Sequence, residues 1–224
     1  APPDKGGTIL IASDLNEITR LKLAELSKSW PAIKITENVK RAYPEGKYLA
    51  HLLGYTSLAN DDDINQGLPP DIRLGRAGLE KVYDETLRGK IGQWRLDIDS
   101  SGEVRDEKLV KNPKVGDNIV LSIDLNLQKR LTDELVKQIN LVGVKAGSAI
   151  AINPSTGEVL ALVSWPSFDN NIFSKGLTEE EFTRLTKDPS EPLFNRAIAG
   201  LYPPGSSIKP YIAVAALEEK IITS

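Results

Sequence analysis

"YPPGSSIKP", residues 202–210 of a 224-residue chain, sets three prolines, a glycine and two serines around one lysine. Pro203 and Pro204 disfavour helix in the residues before them. The following stretch "SSIKPYIAVAALEEK" has helical character, and Pro210, which lacks an N–H, is tolerated only about a turn from a helix start. These constraints bracket a helix N-terminus near Ser206, with Gly205 supplying a permissive backbone just before it. Ser206 and Lys209 then stand at i and i+3 on one helix face. A serine hydroxyl is a weak nucleophile until a base takes its proton, and a lysine can be that base if burial or a neighbouring cation lowers its pKa. The helix start adds unpaired N–H groups suited to an oxyanion. The competing reading is plain punctuation, because a chain of this length holds one S-x-x-K by chance.

Composition narrows the function classes. The chain is 40% hydrophobic and 26% charged, ordinary values for a globular protein with a buried core. Its 28 basic and 31 acidic residues leave a formal charge of -3 with no basic run, which argues against a nucleic-acid partner. Cysteine is absent and there is one histidine, His51, so thiolate metal sites, disulfides and a histidine-based triad are excluded; no metal and no cofactor is expected. His51 is read as a surface or packing residue. "NDDD" (60–63) lacks calcium-loop spacing and reads as a solvated turn. No apolar run approaches the roughly 18 residues of a membrane span.

Along the chain, "TILIAS" (8–13) and "AIKIT" (32–36) read as strands. Between them Leu15, Ile18, Leu21, Leu26 and Trp30 recur at helical spacing behind Asp14 or Asn16 and ahead of Pro31. A short helix is expected from Lys47 to Leu53, a loop through "LANDDDINQGLPPDIRLG", and one helix from about Ala77 to Arg88. "QWRLDIDSSGEVRDEKLV" alternates around "DSSG", a hairpin signal, and "GDNIVLSID" (116–124) alternates again. "LNLQKRLTDELVKQINLVG" is the longest amphipathic helix, with Leu127, Leu131, Leu135 and Ile139 at steps of four. "GSAIAI" and "VLALVSW" flank "NPSTGE" as a second hairpin, apolar enough to predict strands covered on both faces. "EEEFTRLTKD" and the tail after Pro210 read as helices. The order of elements argues an α+β chain.

"NRAIAGLYPPGSSIKP" (195–210), preceded by "AINPSTGEVLALVSWPSFDNN" (151–171), resembles the transpeptidase module of penicillin-binding proteins at and just before its serine motif. "RAYPEG" (41–46) and "GRAGLEKVYDETLRGKIG" (75–92) resemble the N-terminal, non-catalytic part of class B penicillin-binding proteins, most closely the elongation-type penicillin-binding protein 2 group. Four motifs in the right order extend the resemblance over residues 8–224.

The resemblance implies an α+β architecture: a probable tag remnant at 1–7, a pedestal and linker domain at 8–115, and at 116–224 an incomplete penicillin-binding domain of the serine transpeptidase, β-lactamase-like type. It implies that Ser206 is the acylated nucleophile and Lys209 its base, acting on the D-alanyl-D-alanine end of peptidoglycan stem peptides and trapped by β-lactams. It places Arg41, Tyr43, Pro44, Gly75, Gly78 and Glu80 in the linker, where Arg41 and Glu80 are expected to pair through a bidentate contact. Implied partners are a membrane glycosyltransferase and elongation scaffold proteins, and the implied location is outside the cytosol on a membrane anchor.

The family also uses an S-x-N motif and a K-T/S-G strand, and the 15 residues after Lys209 hold neither. "KGGT" at 5–8 stands at the wrong end. The chain therefore reads as an N-terminal fragment that forms no stable acyl-enzyme with penicillin. Its alternative role is a partner-docking module; a β-lactam sensor or β-lactamase is a weaker alternative, against which "GRAGLE" speaks.

Overall fold

The computed structural model describes residues 11–12, 15–30, 32–33, 35, 40–69, 72–98 and 104–222. The strand expected at 8–13, the tag remnant, the alternative cap Asp14 and the turn "DSSG" lie wholly or largely outside them, and of the strand expected at 32–36 the described residues 32, 33 and 35 are in no strand. Helix α1 (Glu17–Ser29) starts where Asn16 predicts: its side-chain carbonyl accepts the Thr19 N–H at 2.8 Å. The apolar stripe of α1 faces solvent along Ile18, Leu21 and Leu26.

The front half is built from short pieces. Helix α2 (Gly46–Leu53) leads into β1 (Thr56–Leu58), which pairs antiparallel with β2 (Arg73–Gly75), Thr56 opposite Gly75. Between these strands "NDDD" is a helix start and not a solvated turn. Asn60 and Asp63 form a reciprocal capping box that begins α3 (Asp61–Asn65), and the Asp63 carboxylate pairs with Arg76. The single helix expected over 77–88 is two, α4 (Gly78–Val82) and α5 (Asp84–Arg88). The break at Tyr83 coincides with Asp84 accepting the Gly75 N–H at 2.8 Å, which anchors the second helix to β2. Strands β3 (Gln93–Ile98) and β4 (Val104–Lys111) form the expected hairpin.

The alternating segment 116–124 forms no strand. It is held by isolated contacts, Asp117 N–H to the Thr86 carbonyl, Ser122 hydroxyl to the Val159 carbonyl and Asp124 N–H to the Leu160 carbonyl, each between 2.8 and 2.9 Å. Asp124 then caps α6 (Leu125–Val142) by accepting the N–H groups of Asn126 and Leu127, and Gly143 ends it in the left-handed region.

Strands β5 (Gly147–Ile152) and β6 (Val159–Trp165) pair antiparallel, with Ala149 opposite Val163 and Ala151 opposite Ala161. Helix α6 packs on this ribbon, burying Ala161, Val163 and its own Ile139. The expectation of strands covered on both faces fails for β5: its residues alternate between half-buried and exposed, and Ile150 and Ile152 remain about half exposed. Only the alanine-bearing face of β5 meets α6, which is why a continuous apolar run gave the wrong pattern.

Helices α7 (Asn171–Lys175), α8 (Glu179–Thr186) and α9 (Arg196–Ala199) follow. They enclose an aromatic core with α2: Ala50, Phe168 and Phe173 are buried, with Tyr55, Ile172, Leu177, Leu185 and Leu193 packed around them. Tyr55 stacks on Phe173 at 3.6 Å between centroids, and Phe168 meets both rings edge-on. This core joins a front-half segment to the back half of the sequence.

Candidate active site and the linker joint

The serine segment is approached through a fixed backbone. Arg196 is buried at the start of α9, its N–H donating to Ser164 Oγ (3.0 Å) and its guanidinium to the carbonyls of Ser190 (2.6 Å), Glu191 (2.9 Å) and Phe194 (3.3 Å). A planar five-donor group suits such a nest of carbonyls and braces the 190–194 loop, while the backbone N–H ties the start of α9 to β6. Beyond Gly200 the backbone enters a 3-10 turn over Gly205–Ile208 and continues as α10 (Lys209–Glu218), with Pro210 in its first turn. Gly205 adopts φ +57°, a conformation that L side chains rarely adopt.

Ser206 lies inside the 3-10 turn and Lys209 opens α10, with the Lys209 N–H donating to the Ser206 carbonyl. The two side chains are therefore one turn apart, as the i, i+3 spacing requires. Both are exposed, and no hydrogen bond joins them among the described residues. Ser207, the neighbouring hydroxyl, donates to the Pro204 carbonyl and so braces the turn. Ser206 Oγ is left without a hydrogen-bonding partner among the described residues. Helix α10 exposes Tyr211, Ile212, Val214 and Leu217, the composition of a core helix turned to solvent.

The linker motifs converge. Arg41 Nε meets Glu80 Oε1 at 3.0 Å, so the expected pair forms; it does so through Nε and not as a bidentate fork, because Nη2 is directed to the Leu87 carbonyl (3.4 Å). Tyr43, which the sequence marked only as part of a motif, donates its phenol to the same Glu80 oxygen at 3.2 Å. Glu80 is 8% exposed and Tyr43 5%, so the carboxylate is buried with two partners. Burial, and then the Glu80 carboxylate, push the Tyr43 phenol up to about 12. Pro44 lies in the turn that starts α2. Gly75 lies against the Glu80 carbonyl, which a Cβ would meet at 1.9 Å, and Gly78 takes φ +56° beside the backbone of Leu52 and Gly54. Those two glycines let α4 approach closely enough to bring Glu80 inward.

Residues without any obvious sequence signal tie this cluster to the back half. Asn171 is bidentate on the Tyr43 backbone, accepting its N–H and donating to its carbonyl, both at 2.9 Å. Asn170 is fully buried and donates to the Gly54 carbonyl at 2.9 Å. Gln128, also fully buried, donates to the carbonyls of Tyr48 and Leu162 and accepts the Leu162 N–H, all at 2.7 to 2.8 Å, so one amide bonds α6 to both β6 and α2. Lys129 pairs with Glu45 across the same joint. His51 is a packing residue as expected: its Nε2 contacts the Pro192 carbonyl at 2.8 Å, its ring meets Phe168 edge-on, and burial lowers its pKa.

Among the described residues no group of three or more His, Cys, Asp or Glu is placed to hold a metal, and no helix is long and apolar enough to cross a membrane.

Comparison with known proteins agrees with this arrangement. The family model for the penicillin-binding protein dimerisation domain matches residues 4–121, and that for the penicillin-binding protein transpeptidase domain matches residues 147–224. The peptidoglycan D,D-transpeptidase MrdA of Escherichia coli K12 is 34% identical over 225 residues, covering 96% of this chain and 34% of the relative. The crystal structure of Pseudomonas aeruginosa PBP2 in complex with WCK 5153 aligns at 33% identity with a TM-score of 0.66, over 85% of this chain and 38% of that one. The complex of PBP2 with MreC from Helicobacter pylori aligns at 25% identity with a TM-score of 0.67, over 94% and 47%. The chain spans about a third of the length of the curated relatives it matches.

Proposed function

Since the chain belongs to the penicillin-binding proteins, with a dimerisation-domain region followed by part of a transpeptidase domain, we propose that it is a portion of an elongation-type peptidoglycan D,D-transpeptidase. In this reading Ser206 Oγ attacks the carbonyl of the penultimate D-alanine of a stem peptide while Lys209 takes the hydroxyl proton. The terminal D-alanine leaves with a proton, and the acyl group remains on Ser206. An amine from a neighbouring strand then attacks the ester, forms the cross-link and frees the serine. N–H groups at the 3-10 turn and the start of α10 face developing oxyanion charge.

The observation that carries the reading is the placement of the two residues: Ser206 in the 3-10 turn and Lys209 one turn on, at the head of α10. Residues 8–115 serve as the pedestal and 116–224 as the beginning of the catalytic domain. The pedestal docks a membrane glycosyltransferase and scaffold proteins, a reading supported by the relative solved with MreC. The complete protein is anchored in the cytoplasmic membrane with this part outside the cytosol. β-Lactams acylate the same serine.

The 224-residue chain by itself has a different character. Ser206 and Lys209 stand in solvent with no hydrogen bond between them, without the burial that would let an amine act as a base. The joint between residues 43–54 and the back half is, by contrast, held by buried side-chain amides and an ion pair. This chain alone acts as a docking and folding unit without chemistry. The test of the catalytic reading is release of D-alanine from a stem pentapeptide by the full-length protein. Ser206→Ala abolishes release and Lys209→Ala lowers it by at least about a hundredfold; undiminished release by Ser206→Ala sinks the assignment.

A further inference from the structure

A cleft of about 300 Å3 lies on the front half, away from the serine segment and independent of its chemistry. Four cations line it, Arg41, Arg73, Arg88 and Lys90, against two carboxylates, Glu80 and Asp84. The carboxylates are already committed: Glu80 to Arg41 at 3.0 Å, Asp84 to Arg88 at 3.3 Å and to the Gly75 N–H. Arg73 and Lys90 have no carboxylate partner among the described residues. Thr56 also lines the cleft. It is 5% exposed, with its hydroxyl beside the Tyr43 phenol at the floor of the cleft.

We propose that this cleft binds the carboxylate of an acidic peptide segment. Arg73 and Lys90 supply the two uncommitted charges, and Ile72, Leu87 and Ile91 receive the aliphatic part of the ligand. The apolar lining favours a carboxylate carried on a carbon stem. A phosphate dianion would find no use for that lining and would meet two fixed carboxylates in the same space.

Titration of the 15N-labelled 224-residue chain with the peptide acetyl-Leu-Glu-Leu-amide, followed by NMR, tests this. The proposal expects saturable shifts at the amides of Thr56, Arg73 and Lys90. The glutamine counterpart, acetyl-Leu-Gln-Leu-amide, binds about tenfold more weakly or worse. The double variant Arg73→Ala/Lys90→Ala loses the response while its α6 resonances stay in place. Should that variant fail to fold, the glutamate against glutamine comparison on the unaltered chain decides. Equal response to the two peptides, no saturable shift at all, or tighter binding of inorganic phosphate than of the acidic peptide overturns the proposal.

Discussion

At the scale of single residues, the buried carboxylate of Glu80 explains why the two linker motifs meet. An ionised group with 8% exposure persists only when paired, and it has both the Arg41 guanidinium and the Tyr43 phenol. The Arg41 to Glu80 pairing was legible in the sequence because opposite charges stood in two motifs of one linker. Tyr43 as a third partner, and Asn171 as a clamp on its backbone, were not legible: a side chain bonding backbone 128 residues away leaves no periodic or local trace. His51 gives a prediction at this scale. Burial lowers its pKa below the ordinary imidazole value, so the unfolded chain takes up the proton first. Stability contributed by neutral His51 is complete above pH about 6.5 and is lost as pH falls below it. Urea unfolding between pH 8 and 5 is expected to show this decline, and His51→Gln to flatten it.

At the scale of elements, caps were readable and registers less so. Asn16, one of the two caps offered for α1, and the glycine that closes the longest amphipathic stretch, Gly143, stand at the helix ends as expected, whereas Asp124, read as the end of an alternating segment, caps α6. On α6 the predicted row reaches full burial only at Ile139; in the first two turns the deepest positions are Gln128 and Thr132, one residue beyond Leu127 and Leu131, so two polar residues occupy the centre of the packed face. A glutamine in an apolar stripe was the available signal, and its meaning depends on the edge of β6 and the end of α2, which periodicity does not supply. Segment 116–124 failed as a strand for a similar reason: alternation describes which side chains face inward, whereas a strand also needs a neighbour with a matching ladder. Gln128→Leu keeps the volume and strands the Tyr48 carbonyl and both Leu162 backbone groups. The expected cost is about 3 kcal/mol in chemical denaturation. A loss below about 0.5 kcal/mol would show that water replaces the amide freely and that α6 is held by apolar packing alone.

At the scale of the whole molecule, the sequence showed an α+β chain with a pedestal-like front and an S-x-x-K back, and the family matches agree. What the sequence did not show is how closely the two are joined. Residues 43–54, which run from the "RAYPEG" motif (41–46) through α2, bond to Asn170, Asn171, Gln128, Lys129 and Pro192 of the back half. The joint is a packed surface that holds the linker against the scaffold from which α9 and α10 emerge. Helix α10 is the opposite case: its apolar residues are exposed and its serine and lysine stand apart in solvent. The account therefore separates position from competence. The spacing of Ser206 and Lys209 comes from the 3-10 turn and the start of α10, while the proposed chemistry requires the lysine to be desolvated beside the hydroxyl.

The most direct measurement is peptide mass spectrometry after incubation with benzylpenicillin, carried out on the 224-residue chain and on the full-length protein side by side. The account predicts a penicilloyl adduct on Ser206 in the full-length protein, none on Ser207, and no stable adduct on the 224-residue chain. An adduct on Ser207, or a full-length protein that stays unmodified at Ser206, would contradict it.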